Sequence, residues 1–401
     1  MTAVLHVALN PVTGPWSVMR DLALAQAASG RYSAVGLGVI TSKDWPSQYD
    51  EELIQTKLPV YRASTIKAFG TAQFLWQRAQ RPPIGQWVDD IMQKSGAKCA
   101  VVHFHNAWMS GVLLPLSELS SGQIRTVATF HGVNAILEGK PTRRFFHRWM
   151  AARLIRYGTR LTSVDRSNLG LAAKILGLRP DLFTVIPNGV PDDTAALATA
   201  WTGEGEFRVG HVGSITERKG WRIGAEAVLQ LVAEGKRVRY VIAGNGPEAA
   251  QAEALSREHP KVIEYLGHIP QPRTNLLPKL HALSVMSTHE GLPMSIIEAM
   301  AVGVPVVATA VGGIPEAVAG EQTGYLIPRN VEELAKKLRH LYASPENWQT
   351  MSHQTRERFE KQFEISHIVK QYDAVYSRME LGDTSDHSRA LIRDGLPDLI
   401  P

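Results

Sequence analysis

The stretch His289-Glu-Gly-Leu-Pro-Met-Ser-Ile-Ile-Glu-Ala-Met300 decides how the rest of the chain is read. It sets two carboxylates, Glu290 and Glu298, on either side of a junction between a loop and a helix. Upstream, Leu283 to Ser287 is a short apolar run bounded by polar residues, which predicts a buried strand. Gly291 and Pro293 break that pattern, and Ser295 has the side chain of an N-cap for a helix through Val302. Gly303 ends the helix, and Val304 to Thr309 predicts the next strand. Glu290 is then expected on a loop beyond a strand, with Glu298 about one turn inside the helix. The amides of Leu292, Met294 and Ser295 would point out of the helix's positive end, a natural seat for phosphate. Pro293 has no N–H to offer. Acceptors for sugar hydroxyls beside donors for a diphosphate suit a sugar nucleotide. Two surface glutamates beside an ordinary turn are the plain alternative.

The neighbouring motifs choose between these. Glu290 and Glu298 are followed by Gly303-Val-Pro-Val-Val307 and then Gly312-Gly-Ile-Pro-Glu316. The combination resembles the signature of family 4 glycosyltransferases, retaining enzymes of GT-B fold. The resemblance implies an α/β protein of two facing, doubly wound Rossmann-like domains with a cleft between them. An N-terminal acceptor domain is expected over 1–190 and a nucleotide-sugar domain over 207–362. A helix over 363–379 would cross back onto the first domain. Between the domains, 191–206 is polar and rich in small residues, as a linker would be. Residues 381–401 carry few large apolar side chains and suit a loosely held tail.

Composition sets outer bounds. A chain of 401 residues, 44% hydrophobic and 20% charged, is ordinary globular material and large enough for two domains. Cys99 stands alone, so neither an internal disulfide nor a cysteine-rich metal site is available, and a reducing cytoplasm fits. Residues 1–10 lack a basic start and a long apolar run, so they are expected to form a first strand and not a signal peptide. No window of about 20 uncharged apolar residues occurs, so no span of a membrane is expected.

The first half alternates predicted strands (Val4 to Leu9, Ser33 to Ile40, Leu58 to Arg62, Ala100 to His105, Thr126 to Phe130) with helices such as Gln86 to Ser95. That alternation argues for a parallel sheet with ligands beyond the strands' carboxyl ends. Asn10 to Trp16 reads as a turn and Ser17 as the cap of the next helix. Gly14 in that turn lets backbone approach a ligand closely. His103 and His105 alternate onto one strand face with no carboxylate or cysteine completing a ligand set, so no metal is expected. Thr129-Phe-His131-Gly132 resembles the family's Thr-x-His-Gly, which implies that His131 contacts the donor sugar.

Lys140 to Arg160 is the most basic region, with Arg143, Arg144, Arg148 and Arg153 interleaved with Phe146 and Trp149. As a helix it would put Phe146, Trp149 and Arg153 on one side. Such a face suits an anionic membrane surface or a phosphate-bearing acceptor, and a second basic aromatic stretch at Lys67 to Arg81 has the same character. No nucleic-acid motif accompanies either stretch. The expectation is a cytoplasmic protein, peripheral on the inner face of the membrane.

The second half repeats the strand–helix logic. Arg208 to Gly213 predicts a strand, followed by the loop Ser214-Ile-Thr-Glu-Arg-Lys-Gly220. The adjacent cations Arg218 and Lys219 at a helix entry favour a diphosphate. Family members carry an arginine where this chain has Ser214, and Arg218 is the candidate to supply that charge. Gly244-Asn245-Gly246-Pro247 closes a predicted strand and resembles the family's turn near the nucleotide, as does the strand end at His268 near the base. The resemblance thus implies catalytic roles for Glu290, Lys219, Arg218 and His131. It implies donor contacts from Gly14, Gly213, Ser214, Gly244, Asn245, His268, Gly291, Leu292, Pro293, Met294, Ser295 and Glu298.

Such an enzyme moves a hexose from a nucleotide diphosphate sugar to a lipid-linked or saccharide acceptor by a front-face mechanism. Uridine donors are favoured over guanosine diphosphate mannose. Asp89-Asp90 is predicted inside a helix and no Asp-x-Asp ends a strand, so no metal or other cofactor is expected beyond the nucleotide sugar as co-substrate. An epimerase or phosphorylase of the same fold, or a non-catalytic sugar-nucleotide binder, are the alternatives.

Overall fold

The computed structural model describes residues 1–9, 14–41, 48–64, 83–105, 123–132, 151–155, 157–176, 178–192 and 197–378. They divide into two compact units, one built from residues up to Pro187 and again from Ile365 onward, the other from Asn188–Glu364.

The first unit is a seven-stranded sheet in the order β3-β2-β1-β4-β5-β6-β7, every pairing parallel. Its strands are β1 (Thr2–Leu9), β2 (Ala34–Thr41), β3 (Val60–Ser64), β4 (Cys99–His105), β5 (Ile124–Phe130), β6 (Arg160–Ser163) and β7 (Phe183–Val185). Parallel strands covered on both faces read as continuous apolar runs, and alternate residues of β1 enter different cores. Leu5 joins Trp87, Ile91 and Leu154 on one side, while Val4 joins Trp16, Leu22 and Tyr372 on the other. Helices α1 (Gly14–Ala28) and α2 (Gln48–Gln55) follow β1 and β2, α3 (Ile84–Ser95) precedes β4, and α4 (Arg166–Leu176) follows β6. The buried Asp165 caps α4 by accepting from the Asn168 amide at 2.7 Å.

The second unit is a six-stranded parallel sheet in the order β10-β9-β8-β11-β12-β13. Its strands are β8 (Phe207–Val212), β9 (Val238–Ala243), β10 (Ile263–Gly267), β11 (Ala282–Val285), β12 (Val306–Thr309) and β13 (Gly324–Ile327). Its helices longer than one turn are α5 (Trp221–Ala233), α6 (Ala249–Glu258), α7 (Met294–Ala301), α8 (Val331–Ala343) and α9 (Pro345–Gln362). Asn330 and Ser344 cap α8 and α9. The last described helix, α10 (Ile365–Arg378), returns to the first unit and adds Ile368, Tyr372 and Tyr376 to its core.

Three local expectations are corrected. Helix α7 begins at Met294 with Pro293 as its N-cap residue, so Ser295 sits inside the first turn. The fixed φ of proline, −65° here, presets that entry without a side-chain cap. Helix α1 begins at Gly14, which puts Trp16 and Ser17 within the helix and not in a turn before it. The described part of 191–206 packs into the second unit and does not behave as a linker. Trp201 is buried against Phe207 and Tyr342, and the amides of Ala198 and Thr199 donate to Val302 and Pro278.

Candidate functional site

The order of each sheet reverses at one place, between β1 and β4 in the first unit and between β8 and β11 in the second. Open α/β sheets bind ligands beyond the carboxyl ends of strands at such a reversal.

In the second unit, the loops leaving β8 and β11 meet there. Lys219, on the β8 loop, puts its Nζ 2.5 Å from Glu290 Oε1 on the β11 loop. Ser287 Oγ donates to the same oxygen at 2.6 Å. Both charged side chains are mostly buried, at 20% and 8% exposure for lysine and glutamate, so the pair is little screened by water. The loops touch because Gly220 is glycine. Its φ is 68°, and a Cβ there would stand 2.2 Å from the Met286 carbonyl. Gly244 makes a similar approach, where a Cβ would stand 1.8 Å from the Gly213 carbonyl.

The frame around the pair is held by main-chain contacts. The Arg218 guanidinium donates to the His289 carbonyl at 2.8 Å, and the Thr288 amide donates to the Arg218 carbonyl at 2.9 Å. Arg329 donates to the carbonyls of Met286 and Glu217, at 2.8 and 2.7 Å. Asn188 Nδ2 donates to the Leu292 carbonyl at 2.9 Å, and the Gly313 amide to the Gly291 carbonyl at 2.8 Å. Together these aim the start of α7, whose Ile296 amide donates back to Pro293. The amides of Met294 and Ser295 ahead of it are the ones a helix start leaves for a ligand.

His211, near the end of β8, is buried and its Nε2 has no hydrogen-bond partner among the described residues. Burial, with the charge of Lys219 adding to it, pushes its pKa down to about 4.

The reversal in the first unit carries histidines instead. Register pairs His6 of β1 with His103 of β4, and His105 lies two residues further on. All three are buried, and their ligand-type nitrogens lie within 4.8 Å of one another. The sequence pattern of β4 alone had left that pair without a third member; β1 supplies it. Each ring is engaged. His6 bonds Gln26 at 2.7 Å and His105 at 3.0 Å. His103 bonds Tyr376 OH at 2.7 Å and Thr129 Oγ1 at 2.6 Å. His105 bonds His131 at 3.2 Å. Burial pushes His6 and His131 down to about 4, and His103 and His105 well below the usual histidine range.

The residues singled out from the sequence therefore fall into two groups. Gly14 (at the start of α1), His131 and Arg153 belong to the first unit. The second unit brings Lys219 and Glu290 together, with Arg218, Gly213, Gly291, Leu292, Pro293, Met294 and Ser295 in the frame around them. Ser214 and Glu298 are half-buried, Glu298 on α7; Asn245 and His268 are exposed at the ends of β9 and β10. Tyr265 OH donates to Asn245 Oδ1 at 3.3 Å. Arg143, Arg144, Phe146, Arg148 and Trp149, the stretch at 67–81 and the tail at 381–401 lie outside the described residues, while Arg153 lies over the Tyr157 ring. Asn188, Ser287, Arg329, His211, His6 and Gln26 had not been singled out. Asn188 carried the one visible signal, an asparagine in Ile-Pro-Asn-Gly.

Two sheets of this order define a pair of Rossmann-like domains, and known structures agree. A crystal structure described as Anabaena Alr3699/HepE in complex with UDP-glucose superposes with a TM-score of 0.71 at 17% identity, covering 94% of this chain and 99% of that one. A sucrose-phosphate synthase from Thermosynechococcus elongatus gives 0.70 at 19% identity over 94% of this chain and 99% of its own. These are GT-B glycosyltransferases, which fixes the fold class. In sequence, residues 12–194 match the family described as Glycosyltransferase Family 4, and residues 206–344 that described as Glycosyl transferases group 1. The chain belongs to the family 4 glycosyltransferases. It is 30% identical to the 2-deoxystreptamine glucosyltransferase of Streptomyces kanamyceticus over 54% of this chain and 60% of that protein, so the match leaves two fifths of that relative uncovered. It is 28% identical to the putative colanic acid biosynthesis glycosyltransferase WcaL of Salmonella typhimurium over 70% of both. No described helix is long and apolar enough to cross a membrane.

Proposed function

We propose that this glycosyltransferase moves a hexose from a uridine diphosphate sugar to a saccharide or lipid-linked acceptor, with retention at the anomeric carbon and without a divalent metal. The observation that carries the reading is the Lys219–Glu290 pair at the sheet reversal, beside the open start of α7. Before the donor arrives, each charge holds the other in place. When the diphosphate binds, the Lys219 ammonium turns to the phosphate oxygens together with the α7 amides, and Glu290 is released to accept from sugar hydroxyls. The developing charge on the leaving diphosphate is then met by groups already oriented, the largest electrostatic contribution in such reactions. The leaving diphosphate oxygen takes the acceptor's proton as the new glycosidic bond forms on the same face. Arg218 adds field strength from the rim while gripping the His289 carbonyl.

In the first unit, His131 is assigned to a hydroxyl of the donor sugar. The UDP-glucose complex of the Anabaena neighbour favours a uridine donor. The WcaL relative favours a role in surface polysaccharide assembly. The basic aromatic stretch around Arg143 to Arg153 is assigned to an anionic membrane surface bearing the acceptor.

The test is nucleotide release from a panel of uridine and guanosine diphosphate sugars with chelator throughout. Slow release from one uridine donor is expected. It should fall by about 10²–10³ in Lys219→Ala and in Glu290→Ala, the cost of removing one oriented transition-state contact. Release that requires magnesium or manganese overturns the metal-free reading. Absence of both release and donor binding turns the assignment to a protein that no longer catalyses transfer.

A further inference from the structure

Behind His131 the first unit holds an ordered series of side chains that the reaction outlined above does not use. Gln26 of α1, His6 of β1 and His105 of β4 lie behind His131 in one line of contacts. The distances are 2.7 Å from Gln26 Oε1 to His6 Nε2, 3.0 Å from His6 Nδ1 to His105 Nε2, and 3.2 Å from His105 Nδ1 to His131 Nε2. We propose that this line is a directional hydrogen-bond chain that holds His131 as its Nε2–H tautomer, leaving Nδ1 as a bare acceptor.

The direction follows from the donor inventory. A glutamine oxygen only accepts, so His6 Nε2 must carry the hydrogen. His6 is fully buried and neutral, so its other nitrogen, Nδ1, has none. That nitrogen accepts from His105 Nε2–H. His105 is neutral in turn, its Nδ1 is bare, and it accepts from His131 Nε2–H. A neutral His131 then has one protonation pattern left. Had Gln26 presented its amide nitrogen to His6, every hydrogen in the line would shift over and His131 Nδ1 would become a donor. A side chain on α1 thus sets the polarity of a ring three contacts away.

The rings are built for this. Those of His105 and His131 are within 18° of parallel with centroids 5.4 Å apart, as two imidazoles bonded edge to edge would be. The His6, His103 and His105 nitrogens are also close enough to one another to hold a metal. All of them are spoken for, however: those of His6 and His105 by the chain, those of His103 by Tyr376 and Thr129. Gln26, His6 and His105 are positioning residues. That the bare Nδ1 receives a hydroxyl of the donor sugar rests on the glycosyltransferase reading above; the tautomer does not.

The experiment is a long-range proton–nitrogen correlation spectrum of the full chain labelled with ¹⁵N-histidine, near pH 7 and without donor. The His131 signals are identified by their loss in His131→Gln. The expected result is an unprotonated Nδ1 and a protonated Nε2 at His131. In His105→Phe, which keeps a ring in the stack, and in Gln26→Met at the far end, the two His131 nitrogens should move toward averaged shifts. A protonated His131 Nδ1 in the unaltered protein overturns the proposal and needs no variant. An unchanged His131 pattern in both folded variants also overturns it. So does a stoichiometric zinc ion carried by the purified protein and bound to His6, His103 and His105. The spectrum is read without turnover, so a wrong tautomer and a wrong reaction fail in different experiments.

Discussion

The two sheets reverse their strand order in the same way, yet the carboxyl ends at the two reversals hold opposite kinds of chemistry. In the second unit an ion pair, Lys219 with Glu290, stands among glycine-lined loops and an open helix start. In the first, His6, His105 and His131 are hydrogen-bonded in line with Gln26, and His103 beside them bonds Thr129 and Tyr376. A charged end can neutralise phosphates but must be kept paired until the ligand arrives. A neutral, hydrogen-bonded end contributes orientation, and its stability depends on staying unprotonated. Topology thus supplies the place for a site, and the residues at the strand ends decide whether it works by charge or by orientation.

Acid should separate the two most strongly. A histidine whose folded pKa lies below its unfolded value of about 6.5 has no effect on stability above that pH, where both states are neutral. As the pH falls from 6.5 towards 4, the unfolded chain takes protons that the folded protein refuses. Each fully displaced histidine then costs about 1.4 kcal/mol per pH unit, or about 3 kcal/mol by pH 4. Among the described residues the first unit has four such groups, His6, His103, His105 and His131. The second has His211 and His281 among the described residues. Hydrogen exchange followed by mass spectrometry from pH 7 to 4.5 should show peptides of the first unit opening first. If the second opens first, the histidine network is not the acid-sensitive element.

Glycine substitution comes next in size. Gly220→Ala forces both a left-handed φ and a clash with the Met286 carbonyl at 2.2 Å, and should cost more than about 2 kcal/mol in denaturant unfolding. Gly96→Ala in the first unit has nearly the same φ, 66°, but open space around the new methyl, so about 1 kcal/mol is expected. Equal losses would mean that the contact between the β8 and β11 loops yields easily.

The smallest effect should come from Arg218→Ala. Its guanidinium is engaged with a main-chain carbonyl at an exposed position, so the donor KM should rise by less than about tenfold, or 1.4 kcal/mol. A loss as large as that of Lys219→Ala would show that Arg218 carries the phosphate charge that the residue at Ser214 lacks.

Much of this was legible from local pattern. Gly291, Pro293 and Gly303 punctuate the central stretch clearly enough to place Glu290 on a loop and Glu298 on a helix. What escaped depends on distance along the chain. His6 meets His103 only through the register of two parallel strands 97 residues apart, and no window contains both. Trp201 was averaged away by the small polar residues around it, although one buried indole is enough to anchor the segment. Ser295 matched the side-chain preference for a cap, but Pro293 had already fixed the backbone two residues earlier. Asn188 escaped because its partner, the Leu292 carbonyl, is a main-chain atom that leaves no trace in sequence.

The return of α10 to the first unit has a consequence for biosynthesis. Tyr372 and Tyr376 complete the face of β4 and β5 on which His103 and Thr129 lie. During translation, the strands made first therefore wait for a helix made after the whole Asn188–Glu364 segment, which is itself uninterrupted. A nascent chain still lacking α10 exposes the apolar surface that Ile368, Tyr372 and Tyr376 later cover, beside the histidines of β1 and β4.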